Sequence, residues 1–227
     1  MTNFIEGKTV RNEHSSIPYL WIRQDQQSDG LCIMLPGLGY TTQAPLFYYA
    51  TGVFVNNNMD VLRINYDYRK KEYFSKLSGK EQDDWMYEDV KAVIQDVLKE
   101  TQYEQYYIVN KSLGSIPMAY ERTQNELLRS SYGIWLTPLL KDETVYNALL
   151  SENLPALCII GDKDPHFFED RIQAIKSNNQ IHTVIIPNAN HSLEINEDVY
   201  TSIQIVNQIM NEIQSFINKC RTQKIAK

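Results

Sequence analysis

Cysteine is scarce in this chain: three in 227 residues, Cys32, Cys158 and Cys220, odd in number and far apart. Without a C-x-x-C pair or a histidine at metal-ligand spacing, a disulfide scaffold and a cysteine-held zinc site are excluded. All three thiols are expected reduced, two of them buried in strands. Glycine (9) and proline (8) are too few and too scattered for a collagen-like or linker-rich chain. No apolar run approaches the ~20 residues of a membrane span, and the opening MTNFIEGKTV has no basic stretch followed by an apolar core, so a cytoplasmic location is expected. Basic charge is also in deficit, with 22 Lys and Arg against 28 Asp and Glu, a net −6. A field of that sign repels nucleic-acid backbones and anionic membranes, and neither is an expected partner.

Cofactor signatures are missing as well. H-E-x-x-H, a Walker loop and paired zinc ligands do not occur. Gly37-Leu38-Gly39 is a near miss for a dinucleotide turn: Thr42 stands where the third glycine belongs and Pro36 precedes the turn. No metal and no cofactor is therefore expected.

The chain is long enough to bury roughly 70% of its unfolded surface unaided. No repeat, low-complexity tract or linker divides it, so a single domain over 1–227 is expected. Short apolar runs at 31–35, 59–65, 106–109, 132–136, 156–160 and 182–186 read as strands covered on both faces. Helical periodicity separates them, clearest in Met86, Val90, Val93, Ile94, Val97 and Leu98. It returns in Val199, Ile203, Val206, Ile209, Ile213, Phe216 and Ile217, whose stripe is expected to face the core. This alternation implies an α/β fold: a doubly wound, mostly parallel sheet with helices on both faces. Ligands in such sheets bind at the strands' carboxyl ends.

Three of those ends carry chemistry. YYIVNKSLGSIPM places Ser112 directly after a strand and before a helical segment; of three S-x-G serines it alone stands at a strand's carboxyl end. The pattern suits a sharp turn that lifts a hydroxyl above the sheet, with Gly114 as one small neighbour and Asn110 where a second glycine usually stands. A serine hydroxyl is a poor nucleophile until a base takes its proton, and the base needs an orienting carboxylate. Gly161-Asp162-Lys163-Asp164-Pro165 supplies two carboxylates after a later strand, and Asn188-Ala189-Asn190-His191-Ser192 supplies an imidazole after the last.

With Ser, Asp and His in that order at successive strand ends, the sequence resembles the α/β-hydrolase family from about residue 30 to the final helix. NKSLGS is similar to its nucleophile elbow, GDKDP to its acid turn, NANHSLE to its histidine loop and LPGLGY to its His-Gly turn, with Pro36 in place of His. The resemblance implies Ser112 as nucleophile, Asp164 (the family's G-x-x-D position) rather than Asp162 as orienting acid, His191 as base, and an oxyanion hole from the backbone N–H groups of Leu38 and Leu113. It implies hydrolysis of a small soluble ester or thioester through an acyl-enzyme, with an acyltransferase or a non-catalytic binding protein as the alternatives. The family's cap is commonly inserted between the strands ending near Leu136 and starting near Ala156. Here 19 residues intervene, enough for one short helix near Glu143 to Leu150, so no large cap domain is expected. The charged stretch from Arg69 to Gln82 is expected as a solvated flap. Tyr40, Arg69, Lys111, Trp135, Thr137 and Phe167 lie near strand ends, with packing as their expected role.

Overall fold

A computed structural model describes residues 2–99, 101–124, 128 and 130–225. Eight strands form one sheet: β1 (Thr2–Asn12), β2 (Ser15–Gln24), β3 (Gly30–Leu35), β4 (Met59–Ile64), β5 (Tyr106–Lys111), β6 (Tyr132–Leu136), β7 (Ala156–Gly161) and β8 (Ile181–Ile186), in the order β1-β2-β4-β3-β5-β6-β7-β8. From β4 to β8 every pairing is parallel; β1 and β2 are antiparallel to each other, and β2 to β4. The helices are α1 (Pro45–Asn56), α2 (Glu72–Ser75), α3 (Gly79–Leu98), α4 (Ser115–Gln124), α5 (Glu143–Leu150), α6 (Glu169–Lys176) and α7 (Val199–Ile225).

The six apolar runs are strands β3 to β8 within a residue or two; β3 to β7 are covered on both faces because alternate side chains enter opposite cores, while the edge strand β8 is only partly buried. Ile33, Leu35 and Ile108 join Val90 of α3, Met118 of α4, Val145 of α5 and Ile172 of α6. Cys32, Met34 and Val109 join Phe47 of α1 and Ile209 of α7 on the other face. All three cysteines are free and buried. Among the described residues no helix is long and apolar enough to cross a membrane.

In the first hairpin β2 buries Ile17, Trp21 and Ile22, whereas β1 carries no apolar run. β1 is largely exposed along its length, and it is held by its ladder to β2, so hydrophobic periodicity gives no sign of it. Its charged edge, with Glu6, Lys8 and Arg11, discourages pairing with another chain. The final helix departs from expectation at its start: its stripe reaches the core only from Ile205, through Ile209, Ile213, Phe216 and Ile217, while Val199 and Ile203 are exposed. The Arg69–Gln82 stretch is more ordered than a flap. It holds α2 and the start of α3, whose N-terminus has a Ser78–Glu81 capping box, and Phe74 packs on the buried Tyr68 at 4.4 Å between ring centroids.

Asp89 of α3, fully buried, ties these parts together. Its carboxylate accepts from Arg11 Nε at 2.8 Å, from Tyr68 Oη at 3.1 Å and from Ser15 Oγ. Asp89→Ala strips three donors of their acceptor and leaves the Arg11 cation without its buried partner. The expected cost is about 3 kcal/mol, read as a lower urea midpoint; a midpoint equal to wild type would show that the network holds nothing.

Candidate active site

β5 runs through the middle of the sheet between β3 and β6, and its chain turns sharply at Ser112. There φ is 51°, a left-handed conformation that a side-chain-bearing residue adopts only when its surroundings enforce it. Gly114 is one enforcer: a Cβ there would strike the Leu35 carbonyl of β3, so only glycine lets the turn pass so close to the neighbouring strand. Ser115 is another, its hydroxyl donating to the Ser112 carbonyl at 2.6 Å and accepting from the Leu139 N–H at 3.3 Å. Asn110 is accommodated because its buried amide donates to the Ile134 carbonyl of β6 at 3.3 Å and meets the Met118 sulfur of α4.

The turns after β7 and β8 are stitched to each other. Gly161 packs against the backbone of Ala189, where a Cβ would collide. Lys163 N–H donates to the Ala189 carbonyl at 3.1 Å, and Asp162 accepts from the Asn188 N–H at 2.7 Å. Asp162 is therefore occupied with backbone. Asp164, only 4% exposed, turns the other way: one oxygen lies 2.8 Å from His191 Nδ1, and the other accepts from the His166 N–H at 2.8 Å. The far nitrogen of His191, Nε2, lies 2.8 Å from Ser112 Oγ. With its proton on Nδ1, the ring donates to Asp164 and accepts from the serine hydroxyl.

The other histidines lie elsewhere, with one exception. His14 stacks on Tyr73 and His182 meets Glu212. His166 sits beside His191, ring centroids 5.4 Å apart. Its pKa is lowered, chiefly by burial and further by His191 and Lys141, against the pull of Asp164. His166 lies in the turn before the helix that starts at Glu169, and no sequence signal marks the ring's approach to His191.

On the other side of Ser112, Leu38 and Leu113 border a cleft of about 20 Å³ together with Gly37, Tyr68 and Arg69. Gly37 lies against the Ser112 side chain, and Pro36 is held through its carbonyl by the Tyr66 hydroxyl at 2.7 Å. Arg69 is paired with Asp67 through two of its nitrogens. Trp135 plays the packing part expected of it, buried and donating to Glu152 at 3.0 Å, and Phe167 packs against the core. A wider groove of about 750 Å³, lined by Tyr49, Ile195, Val199, Ile203 and Met210, has neither Ser112 nor His191 in its wall. Among the described residues no cluster of three or more His, Cys, Asp or Glu is placed to hold a metal ion.

A mostly parallel sheet with a left-handed serine at the carboxyl end of a central strand, facing an imidazole and a carboxylate, is the architecture of the α/β hydrolases. Residues 29–218 match the family model described as an alpha/beta hydrolase domain, and the chain belongs to that family. Among solved structures it is similar to an esterase of Pyrococcus furiosus (15% identity, TM-score 0.70, covering 96% of this chain and 92% of that one). It is also similar to an α/β serine hydrolase without lid from Xanthomonas campestris (13%, 0.70, 96% and 94%) and to a dienelactone hydrolase from Anabaena variabilis (15%, 0.62, 92% and 96%). At such identities the likeness is one of fold. As in the lidless structure, no large cap is present: α5 is the one helix between β6 and β7. No curated protein matches the sequence.

The close approach at Gly114 is directly testable. Gly114→Ala forces the turn off Leu35 and should destabilise the fold by about 2 kcal/mol, within the range of overpacking changes. Chemical denaturation measures it, and a neutral result would mean that the turn relaxes freely.

Proposed function

We propose that this protein is a serine hydrolase that cleaves a small soluble carboxylic ester or thioester through an acyl-enzyme on Ser112. The observation that carries the reading is the unbroken chain Ser112–His191–Asp164, with 2.8 Å at both links. In this mechanism His191 Nε2 takes the Ser112 proton as Oγ attacks the substrate carbonyl carbon. Asp164 holds the ring in the productive tautomer and stabilises the imidazolium. The backbone N–H groups of Leu38 and Leu113 receive the developing oxyanion. His191 then protonates the departing alcohol or thiol, and water, deprotonated by the same ring, hydrolyses the acyl-enzyme. The absence of a large cap among the described residues favours short acyl groups over lipid chains.

Fluorophosphonate should label the wild type and leave Ser112→Ala unlabelled while that variant stays folded. Undiminished labelling of Ser112→Ala would refute the nucleophile. A folded wild type that takes up no probe would instead favour a non-catalytic binding protein. The rate of p-nitrophenyl ester hydrolysis should fall as the acyl chain lengthens, and a preference for emulsified long-chain lipid would contradict the substrate class. An acyltransferase would show the same labelling but faster turnover on adding an alcohol or amine acceptor.

The two neighbouring carboxylates should separate cleanly. Asp164→Asn removes the imidazole's partner, a change that costs ~10⁴ in kcat in the serine protease template. Asp162→Asn weakens a contact to backbone and should cost about tenfold or less. A larger loss at Asp162 would reverse the assignment.

A further inference from the structure

One buried ionisable group at the site has no part in that mechanism. Lys111 is the last residue of β5, immediately before Ser112, and is 1% exposed. Its Nζ donates to the main-chain carbonyl of His191 at 2.7 Å and to Thr137 Oγ1 at 3.0 Å, and it lies 4.7 Å from the centre of the Tyr40 ring. One ammonium thus joins the ends of β5 and β6, the turn after β3 and the histidine loop. A methionine would fill the same space without the cost of desolvating a charge.

The histidine loop needs such a hold. Asn188 and Leu193, on either side of His191, both take left-handed backbone, with φ of 60° and 62°. Thr137, the second partner of Lys111, is left-handed too, at 44°, a conformation β-branched residues avoid. Asp164 and Ser112 fix the ring of His191, and its loop neighbours are tied to the acid turn and to Asn190, whose Oδ1 accepts from the Ser192 and Glu194 N–H groups; the carbonyl of His191 itself is held by Lys111. We propose that Lys111 is a positioning residue: its ammonium holds the His191 main chain against the nucleophile turn, so that attack by Ser112 requires a cation at position 111 as well as the imidazole and its carboxylate. The proposal rests on the serine-hydrolase reading above.

The carboxylates of Asp164 and Glu194 act on this ammonium, and the two other titratable residues it touches are His191, through its carbonyl, and Tyr40, through its ring. Burial lowers the Lys111 pKa to about 8, against the opposing pull of Asp164 and Glu194. Burial pushes Tyr40 up to about 12, so it stays neutral as Lys111 titrates. Below pH 8 Lys111 is charged and holds the loop; as pH rises through 8 it loses a proton, one donor and its attraction to both carboxylates. In the unfolded chain the same lysine keeps its proton up to the ordinary lysine value of 10.5. Between these values the unfolded state binds more protons, so this group's contribution to stability rises with pH while the hold on the loop weakens. Lost reactivity in that window is therefore not unfolding driven by Lys111.

The test is the second-order rate of fluorophosphonate labelling of the full chain from pH 6 to 10, with thermal melts at each pH. Wild type should lose rate on an alkaline limb near pH 8 without a fall in melting temperature. Lys111→Met should label about 10- to 100-fold more slowly at pH 7, the scale of a small misplacement of reacting groups, and should lack that limb. Lys111→Arg keeps its charge throughout and should label faster than the Met variant, again without the limb. An active wild type with a flat profile from pH 7 to 10 overturns the role of Lys111 alone, whether or not the variants fold. A Met variant that labels like wild type with the same alkaline limb does so too. A folded wild type that never labels overturns the hydrolase reading, and this proposal with it.

Discussion

The left-handed backbone at Ser112 is the constraint on which the rest of the site depends. A serine at φ 51° persists only because the chain on both sides is pinned: Gly114 packs without a Cβ against the Leu35 carbonyl, and Ser115 bridges the Ser112 carbonyl to the N–H of Leu139. Because β5 is central, the turn has a strand end on each side. The Gly37–Leu38 turn after β3 borders the hydroxyl on one flank, and Thr137 after β6 stands on the other. A parallel sheet makes this convergence automatic, since all its carboxyl ends lie along one edge.

From that edge the polar groups divide their work by geometry. Asp162 and Asp164 are two residues apart in one turn, yet the first is spent on the Asn188 N–H and the second meets the His191 ring. The contact of Gly161 with Ala189 brings the two loops close enough for both bonds to form. Lys111 adds a third tie, from the nucleophile strand to the histidine loop. His191 is thus reached from two strand ends, those of β5 and β7: its ring by Ser112 and Asp164, its backbone by Lys111.

Several sequence inferences were sound because their causes are local. A strand buried on both faces must be an almost continuous apolar run, and β3 to β7 are such runs. A turn from strand to helix needs small or polar residues at fixed offsets, and Ser112, Asp164 and His191, singled out by those offsets, their order and the family resemblance, are residues that the structure brings together. The short span between Leu136 and Ala156 limited what could be inserted there to α5. β1 was invisible because an exposed strand held mainly by backbone hydrogen bonds needs no apolar pattern, whereas β2, which buries Ile17, Trp21 and Ile22, went unread although its run is apolar. The start of α7 misled for the converse reason: Val199 and Ile203 continue the apolar stripe but are exposed, and they line the groove instead of the core.

The sequence by itself determined the α/β class, the negative charge and the residue types at each strand end, since these follow from composition and from neighbours a few positions apart. Only the tertiary structure decided that His166 lies beside His191, that Asp162 binds backbone while Asp164 binds the imidazole, and that Lys111 holds a carbonyl 80 positions away. Those contacts are set by the order in which parallel strands lie side by side and by the angles at which their loops leave the sheet, and neither leaves a periodic trace in the chain.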